Sequence, residues 1–406
     1  MNRIHKEMIK LLCAFNENRK IEHCMLNPGE LKKLYEEAEA HKLTALIYTA
    51  MGKDYINKME SELYNKWKYS GINTVIIQTQ NIKHIQKVLT KIQKSGVKVI
   101  GLKGLVLRNF YNNPLLRTMC DIDILIDSED LNKVRLILND IGYEEYESLC
   151  KHHIKFIHSR FLPIEVHWTI LKDSFLNEDH LQKAEVWDEA VKVSIGDFTF
   201  LSLGWTDLAV YLLIHMASHN QSCGFGLRQL YDFYILVEEK NTSIDWQDVA
   251  KQLQSYNLGI FAAYIFQCCN ILFKLTIPIE IEKLSISDNY IAEKVLEEIL
   301  TSGVFGDKNN KIMLSNILSN KVSQKYGSKK VTFLKVVRVI LPTKSKLEEK
   351  YSYIKKNKLL IPLAYLHYIY VSFNKYGFKA KDFFCFFING TSKVKKKKRL
   401  LKELEL

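Results

Sequence analysis

Arg117-Thr118-Met119-Cys120-Asp121-Ile122-Asp123-Ile124-Leu125-Ile126-Asp127 decides the fold of this chain. From Asp121 the residues alternate strictly, with Ile122, Ile124 and Ile126 on one side and Asp121, Asp123, Leu125 and Asp127 on the other. That period of two belongs to a β-strand. Residues two apart in a strand project to the same face, so Asp121 and Asp123 present two carboxylates side by side, and these repel unless a cation lies between them. Mg²⁺ is held by a few carboxylates together with substrate phosphates, and paired metals stabilise the attacking and leaving oxygens of an in-line displacement. An Asp-x-Asp strand therefore suits phosphoryl or nucleotidyl transfer, although by itself the motif also marks a solvated strand end.

The neighbouring sequence strengthens the chemical reading. Downstream, Leu131 to Ile141 has helical spacing, with Asp127 or Ser128 placed to cap it, and two strands are expected at His153 to Ile157 and Ile164 to Trp168. In the second of these, Glu165 and His167 share one face while Ile164, Val166 and Trp168 take the other, which suggests Glu165 as a third metal ligand. Upstream, the β-branched run Val97 to Ile100 is closed by Gly101, and Lys103-Gly104 lies between its end near Leu102 and a helical stretch from Leu105. Backbone N–H groups and a cation converge at such a turn, as a phosphate requires. Arg117 is placed to grip a triphosphate with its guanidinium fork. The competing readings are a solvated turn lysine for Lys103 and a salt bridge to Asp121 or Asp127 for Arg117.

Before this segment, from Ile4 to about Gln93, apolar residues recur at helical spacing. After a hairpin expected over Val191 to Leu201, around Gly196-Asp197, helical sequence resumes almost to the end. A chain of 406 residues with six prolines and seventeen glycines favours several domains built from long helices. The expected division is a helical N-terminal region (1–93), an α/β core (94–203), a helical C-terminal domain (204–391) and a basic tail (392–406). In the helical half, His215 and His219 stand four apart, a spacing that can bind a metal, but no glutamate of a zinc protease lies between them. A structural or substrate-contact role is favoured. Arg228 and Asp232, also four apart, are most simply an intrahelical pair. The apolar stretch from Leu359 to Phe373 is interrupted by His367 and falls short of the roughly 20 residues a bilayer needs, so a buried helix is expected.

Hydrophobic residues at 47% and charged residues at 25% exclude global disorder. The formal charge of +13 attracts polyanions without choosing among nucleotides, nucleic acid and anionic lipid. Much of the surplus lies in Lys393, Lys395, Lys396, Lys397, Lys398 and Arg399, read first as a solvated tail and second as a contact for an anionic membrane surface. Eight scattered cysteines without a Cys-x-x-Cys pair imply reduced thiols, and the N-terminus lacks a secretory signal pattern, so the chain is expected in the cytoplasm.

Gly101-Leu102-Lys103-Gly104, the segment from Arg117 to Ile126, and Ile164-Glu165-Val166-His167-Trp168 together resemble the uncharacterised bacterial nucleotidyltransferase family of the polymerase-beta-like superfamily. Leu213 to His219, Leu227 to Asp232, Pro342 to Tyr351 and Leu359 to Leu363 resemble its helical later part. The resemblance implies an α+β fold, a small mixed sheet flanked by helices, with a helical N-terminal region and a large helical C-terminal half. It also implies Mg²⁺, with Mn²⁺ as a substitute, on Asp121, Asp123 and Glu165, and an NTP held by Lys103, Gly104 and Arg117. His167, His215 and His219 are candidate substrate contacts. Most of the superfamily has Gly-Ser or Gly-Gly where this chain has Lys103-Gly104, which leaves the triphosphate grip less defined than the metal site. The expected reaction moves a nucleoside monophosphate to an acceptor that the sequence does not identify: a small molecule, sugar, peptide or protein. Nucleic acid has no specific support. An Asp-x-Asp glycosyltransferase would release UDP or GDP instead of pyrophosphate, and a non-catalytic nucleotide-binding adaptor would release neither.

Overall fold

The computed structural model describes residues 1–146, 153–170, 184–222, 224–284, 288–304, 342, 347, 350–351, 353–356, 358–375, 397 and 399–406. Five helices come first: α1 (Arg3–Asn16), α2 (Pro28–Ala40), α3 (Thr44–Ala50), α4 (Lys53–Asn57) and α5 (Ser61–Lys94). Asn27 and Glu30 cap α2 reciprocally, each side chain accepting from the other's backbone N–H, with Pro28 in the first turn. The 34 residues of α5 span about 50 Å, and Ile82, Ile85, Val88, Leu89 and Ile92 form a buried stripe along its second half. Gln86 on α5 donates to the Ile195 carbonyl, tying this helix to the sheet.

That sheet contains β1 (Ile100–Gly101), β2 (Ile122–Leu125), β3 (Glu144–Tyr146), β4 (His153–Ile157), β5 (Ile164–His167), β6 (Val191–Ile195) and β7 (Phe198–Ser202), in the order β3-β4-β5-β2-β1-β7-β6. Short helices α6 (Gly104–Leu107), α7 (Leu131–Asp140) and α8 (Ala184–Asp188) lie between strands. Strand β2 runs antiparallel to β1 and parallel to β5, and β6 and β7 form the expected hairpin. Ile122, Ile124, Phe156, Ile164 and Val166 are fully buried on the sheet's apolar face. The carboxylate strand is shorter than its alternating pattern because Asp127 turns to accept from the Glu129 N–H and opens the turn leading into α7.

The helical half comprises α9 (Trp205–Ser222), α10 (Leu227–Lys240), α11 (Trp246–Ser255), α12 (Gly259–Phe273), α13 (Ile279–Glu282) and α14 (Asn289–Ser302), with α15 (Tyr353–Lys356) and α16 (Ile361–Lys375) later. His41, after α2, bonds both the Leu227 N–H and the Leu300 carbonyl, so the two helical parts meet directly. One continuous buried cluster runs from Met8 to Leu404 and draws on the helical N-terminus, the sheet and the helical half.

Two expectations are corrected. Helix α16 forms where the apolar stretch lies, but it is not buried: Leu363, Leu366 and Tyr370 are 56%, 64% and 66% exposed. Its apolar residues surround the helix, whereas the small cluster of Leu347, Tyr351, Ile354 and Ala364 covers one side. The end of the basic tail is not solvated either. Lys397 is buried against Glu298 and Asn220, and Leu400 and Leu404 join the main core, because two leucines four apart give this end an apolar edge. Lys393, Lys395, Lys396 and Lys398 lie outside the described residues. Among the described residues no helix is long and apolar enough to cross a membrane.

Candidate active site

The polar face of the sheet is assembled by strand register. Parallel pairing sets Asp123 opposite Glu165 and Leu125 opposite His167, while antiparallel pairing sets Lys155 opposite Glu165 and His153 opposite His167. Partners across a ladder share a face, so β2, β5 and β4 together present Asp123, Glu165, His167, Lys155 and His153. Asp121 adds its carboxylate from just before β2. The His167 Nε2 lies 3.0 Å from Asp123 Oδ1 and 3.9 Å from Glu165 Oε2, and Lys155 Nζ donates to Glu165 Oε1 at 3.1 Å. Lys155 and His153 were not anticipated as site residues. Their alternation with Ile154 and Phe156 is visible in sequence, but the face they join depends on a pairing that sequence does not specify.

Lys103 enters from the turn between β1 and α6. The Leu105 N–H donates to the Leu102 carbonyl, closing a four-residue turn, and Lys103 stands at its second position with φ 43° and ψ −116°. That is the first central position of a type II′ turn, where glycine is the usual occupant. A lysine held there costs of order 1–3 kcal/mol, the kind of strain that clusters at ligand clamps. Its Nζ donates to Asp123 Oδ1 at 2.7 Å and lies 5.8 Å from the Tyr211 ring centroid, so it is not a solvated turn lysine. Gly104 follows because any Cβ at that position would collide with Arg117 Nη1.

Charge is unevenly shared in this cluster. Burial acts to raise the Asp123 carboxyl, but Lys103 and His167 outweigh it and hold the group well below the ordinary carboxylate range. Burial, and then the neighbouring Asp123, pushes the Asp121 carboxyl up. Burial acts to lower the Lys103 ammonium, but Asp123, Tyr211 and Asp121 reverse the effect and raise it.

The helices α9 and α10 form the opposite wall, and here the expected pairings change. Arg117 pairs with neither Asp121 nor Asp127. Its Nε and Nη2 donate to Asp232 Oδ1 and Oδ2 at 2.9 and 2.7 Å, so its fork is occupied by a buried carboxylate. Tyr111 donates to the same Asp232 Oδ1 at 2.7 Å. The expected intrahelical pair of Arg228 with Asp232 is therefore not formed; Arg228 Nη1 turns to the Thr118 carbonyl at 2.9 Å. His215 and His219 share one face of α9 with their Nε2 atoms 3.1 Å apart. A cavity of about 410 Å³ between the walls is lined by the carboxylates, Lys103, Gly104, Arg117, Lys155, all four of these histidines and Arg228.

Donor atoms of Asp123, Glu165 and His167 lie within 4.8 Å of one another, so the site offers a compact carboxylate and imidazole set to a divalent cation. The residues fit such an ion.

Residues 27–274, well over half of the chain, match the sequence profile of a nucleotidyltransferase family, and the protein is an enzyme of the nucleotidyltransferase class. It belongs to the family described as Uncharacterised nucleotidyltransferase and has the α+β architecture described above. No curated protein matches the chain. Among solved structures it is similar to the lincosamide antibiotic adenylyltransferase LnuA with lincomycin bound, at 17% identity and a TM-score of 0.30 over 38% of this chain and 94% of that one. It is also similar to the antibiotic-resistance factor ANT(2″)-Ia in solution (12% identity, TM-score 0.35, 46% and 95% of the two chains). The same protein in complex with adenylyl-2″-tobramycin matches at 13% identity, with a TM-score of 0.34 over 44% and 97%.

Proposed function

We propose that this nucleotidyltransferase is metal-dependent and moves a nucleoside monophosphate from an NTP to an acceptor, with release of pyrophosphate, at the carboxylate face of the sheet. The observation that carries the reading is the β2–β5 register, which sets Asp123 beside Glu165 with Asp121 at the same edge. These three carboxylates would hold Mg²⁺, or Mn²⁺ in its place, and the ion would offset phosphate charge during in-line displacement. Lys103, aimed into the cluster from a strained turn, takes the triphosphate together with the backbone at Gly104, whose missing Cβ leaves room for the Arg117 guanidinium. Arg117 acts as a positioning residue, fixed by Asp232 behind Gly104. His167 orients the Asp123 carboxylate through its 3.0 Å contact. His215 and His219, on the far wall, face the acceptor.

The test uses each α-labelled NTP with cell extract, followed by separation of small and macromolecular products. Wild type should transfer label and release pyrophosphate. Asp121→Asn with Asp123→Asn should lower transfer by about 10³-fold or more, since each ~1.4 kcal/mol of lost transition-state stabilisation is a factor of ten. The apo double variant should be less stable than wild type, because Asp123→Asn leaves the buried Lys103 ammonium without its carboxylate, and it should lose the Mg²⁺ response. Undiminished transfer in that variant would overturn the metal-dependent reading.

A further inference from the structure

Arg228 is a buried guanidinium, 7% exposed, that lines the cavity. Its Nη1 donates to the Thr118 carbonyl at 2.9 Å and to Cys120 Sγ at 3.6 Å, while its Nε is buried with no protein partner among the described residues. Asp232, one turn further along α10, would be its natural partner, but Arg117 and Tyr111 already occupy both Asp232 oxygens. Among the described residues no carboxylate lies within ion-pair distance of Arg228. A buried charge left unpaired is costly and persists where something offsets that cost. Here the cost falls on a side chain at the wall of a nucleotide-sized cavity, across from the metal-binding carboxylates. A guanidinium fork matches phosphate oxygens in pairs.

Resting on the nucleotidyltransferase reading, we infer that Arg228 is the phosphate-binding arginine of this pocket, taking an oxyanion of the NTP and then of the departing pyrophosphate. The exchange of partners explains the design. Asp232 is consumed by Arg117, which makes Arg117 scaffold and leaves Arg228 charged and available.

Mg²⁺-pyrophosphate is the probe, because it needs no knowledge of base or acceptor. Calorimetry should show at least tenfold weaker pyrophosphate binding by Arg228→Met than by wild type, with an apo melting temperature equal or higher because an unpaired buried charge is gone. Arg228→Lys keeps the charge without the fork and should fall between the two, which also serves if the methionine variant does not fold. Wild-type pyrophosphate affinity in both variants, or in the lysine variant alone if the other is unfolded, overturns the assignment to the triphosphate. If wild type binds neither pyrophosphate nor any non-hydrolysable NTP analogue, the nucleotidyltransferase reading fails and this inference falls with it.

Discussion

Two buried ion pairs face the same cavity and differ in kind. Arg117–Asp232 is closed: the fork takes both carboxylate oxygens, Tyr111 adds a third hydrogen bond, and one charge cancels the other. Lys103–Asp123 is open: Lys103 bonds one oxygen of Asp123 with Asp121 close by and Glu165 held by Lys155, and it does so on a backbone that a lysine adopts reluctantly. A closed pair belongs to the scaffold. We read an open pair, set among further titratable groups, as arranged for exchange with a cation or a phosphate.

The largest difference should appear when each pair is broken. Asp232→Ala strands the Arg117 guanidinium in a dry site and removes the Tyr111 acceptor, a change that should cost about 3–5 kcal/mol. Mg²⁺ should not restore it. Lys103→Ala should destabilise the metal-free protein less, and Mg²⁺ should restore the loss, since the ion answers the repulsion that the ammonium had answered. Denaturant melts with and without Mg²⁺ compare the two. Rescue of the Asp232 variant by metal, or a Lys103 variant that ignores metal, would erase the distinction between scaffold and exchange.

The carboxylate face was legible in the sequence and the opposite wall was not. Asp121, Asp123, Glu165 and His167 follow from strand alternation, a local property; the structure draws the donor atoms of Asp123, Glu165 and His167 together and leaves Asp121 on the wall of the same cavity, outside that compact set. The Gly196 hairpin and the helices on either side of the core follow from equally local signals. Arg117 and Arg228 were misread because helical spacing shows which residues can meet within one helix, whereas Asp232 is claimed by a residue 115 positions away. Long-range competition for one carboxylate leaves no mark on periodicity. Helix α16 was misread for a related reason: apolar content was visible, but the extent of the surface available to cover it was not.

A smaller effect isolates the backbone contribution to the open pair. Lys103→Gly and Lys103→Ala both remove the ammonium, but only glycine relaxes a residue at φ 43° and ψ −116°. The glycine variant should be the more stable by about 1 kcal/mol, and both should bind NTP more weakly. Equal stability of the two would mean that the turn relaxes in the metal-free protein and that no strain is held there.

The smallest effect concerns pH, and it separates two aspartates that lie two residues apart. Asp123 is held below the ordinary value of 3.8 by Lys103 and His167 against the effect of burial, so the unfolded chain binds the proton more readily, and the stability this carboxylate contributes is lost as pH falls below 3.8. Asp121 is raised above 3.8 by burial and by Asp123, so here the native state keeps a proton that the unfolded chain has released, and stability declines as pH rises through the raised value. Metal binding needs both groups ionised. The stabilisation conferred by Mg²⁺ should therefore be slight near pH 4 and should grow as pH rises and Asp121 loses its proton, the ion cancelling a penalty that the metal-free protein bears. Asp121→Asn should remove the decline of the metal-free protein above pH 4 while leaving the loss below it, which belongs to Asp123. Thermal melts from pH 3 to 8, with and without Mg²⁺, measure both limbs. A metal response that is flat across that range would show that Asp121 is already ionised in the metal-free site and that Lys103 shields the whole cluster, which would place the two ion pairs in the same class.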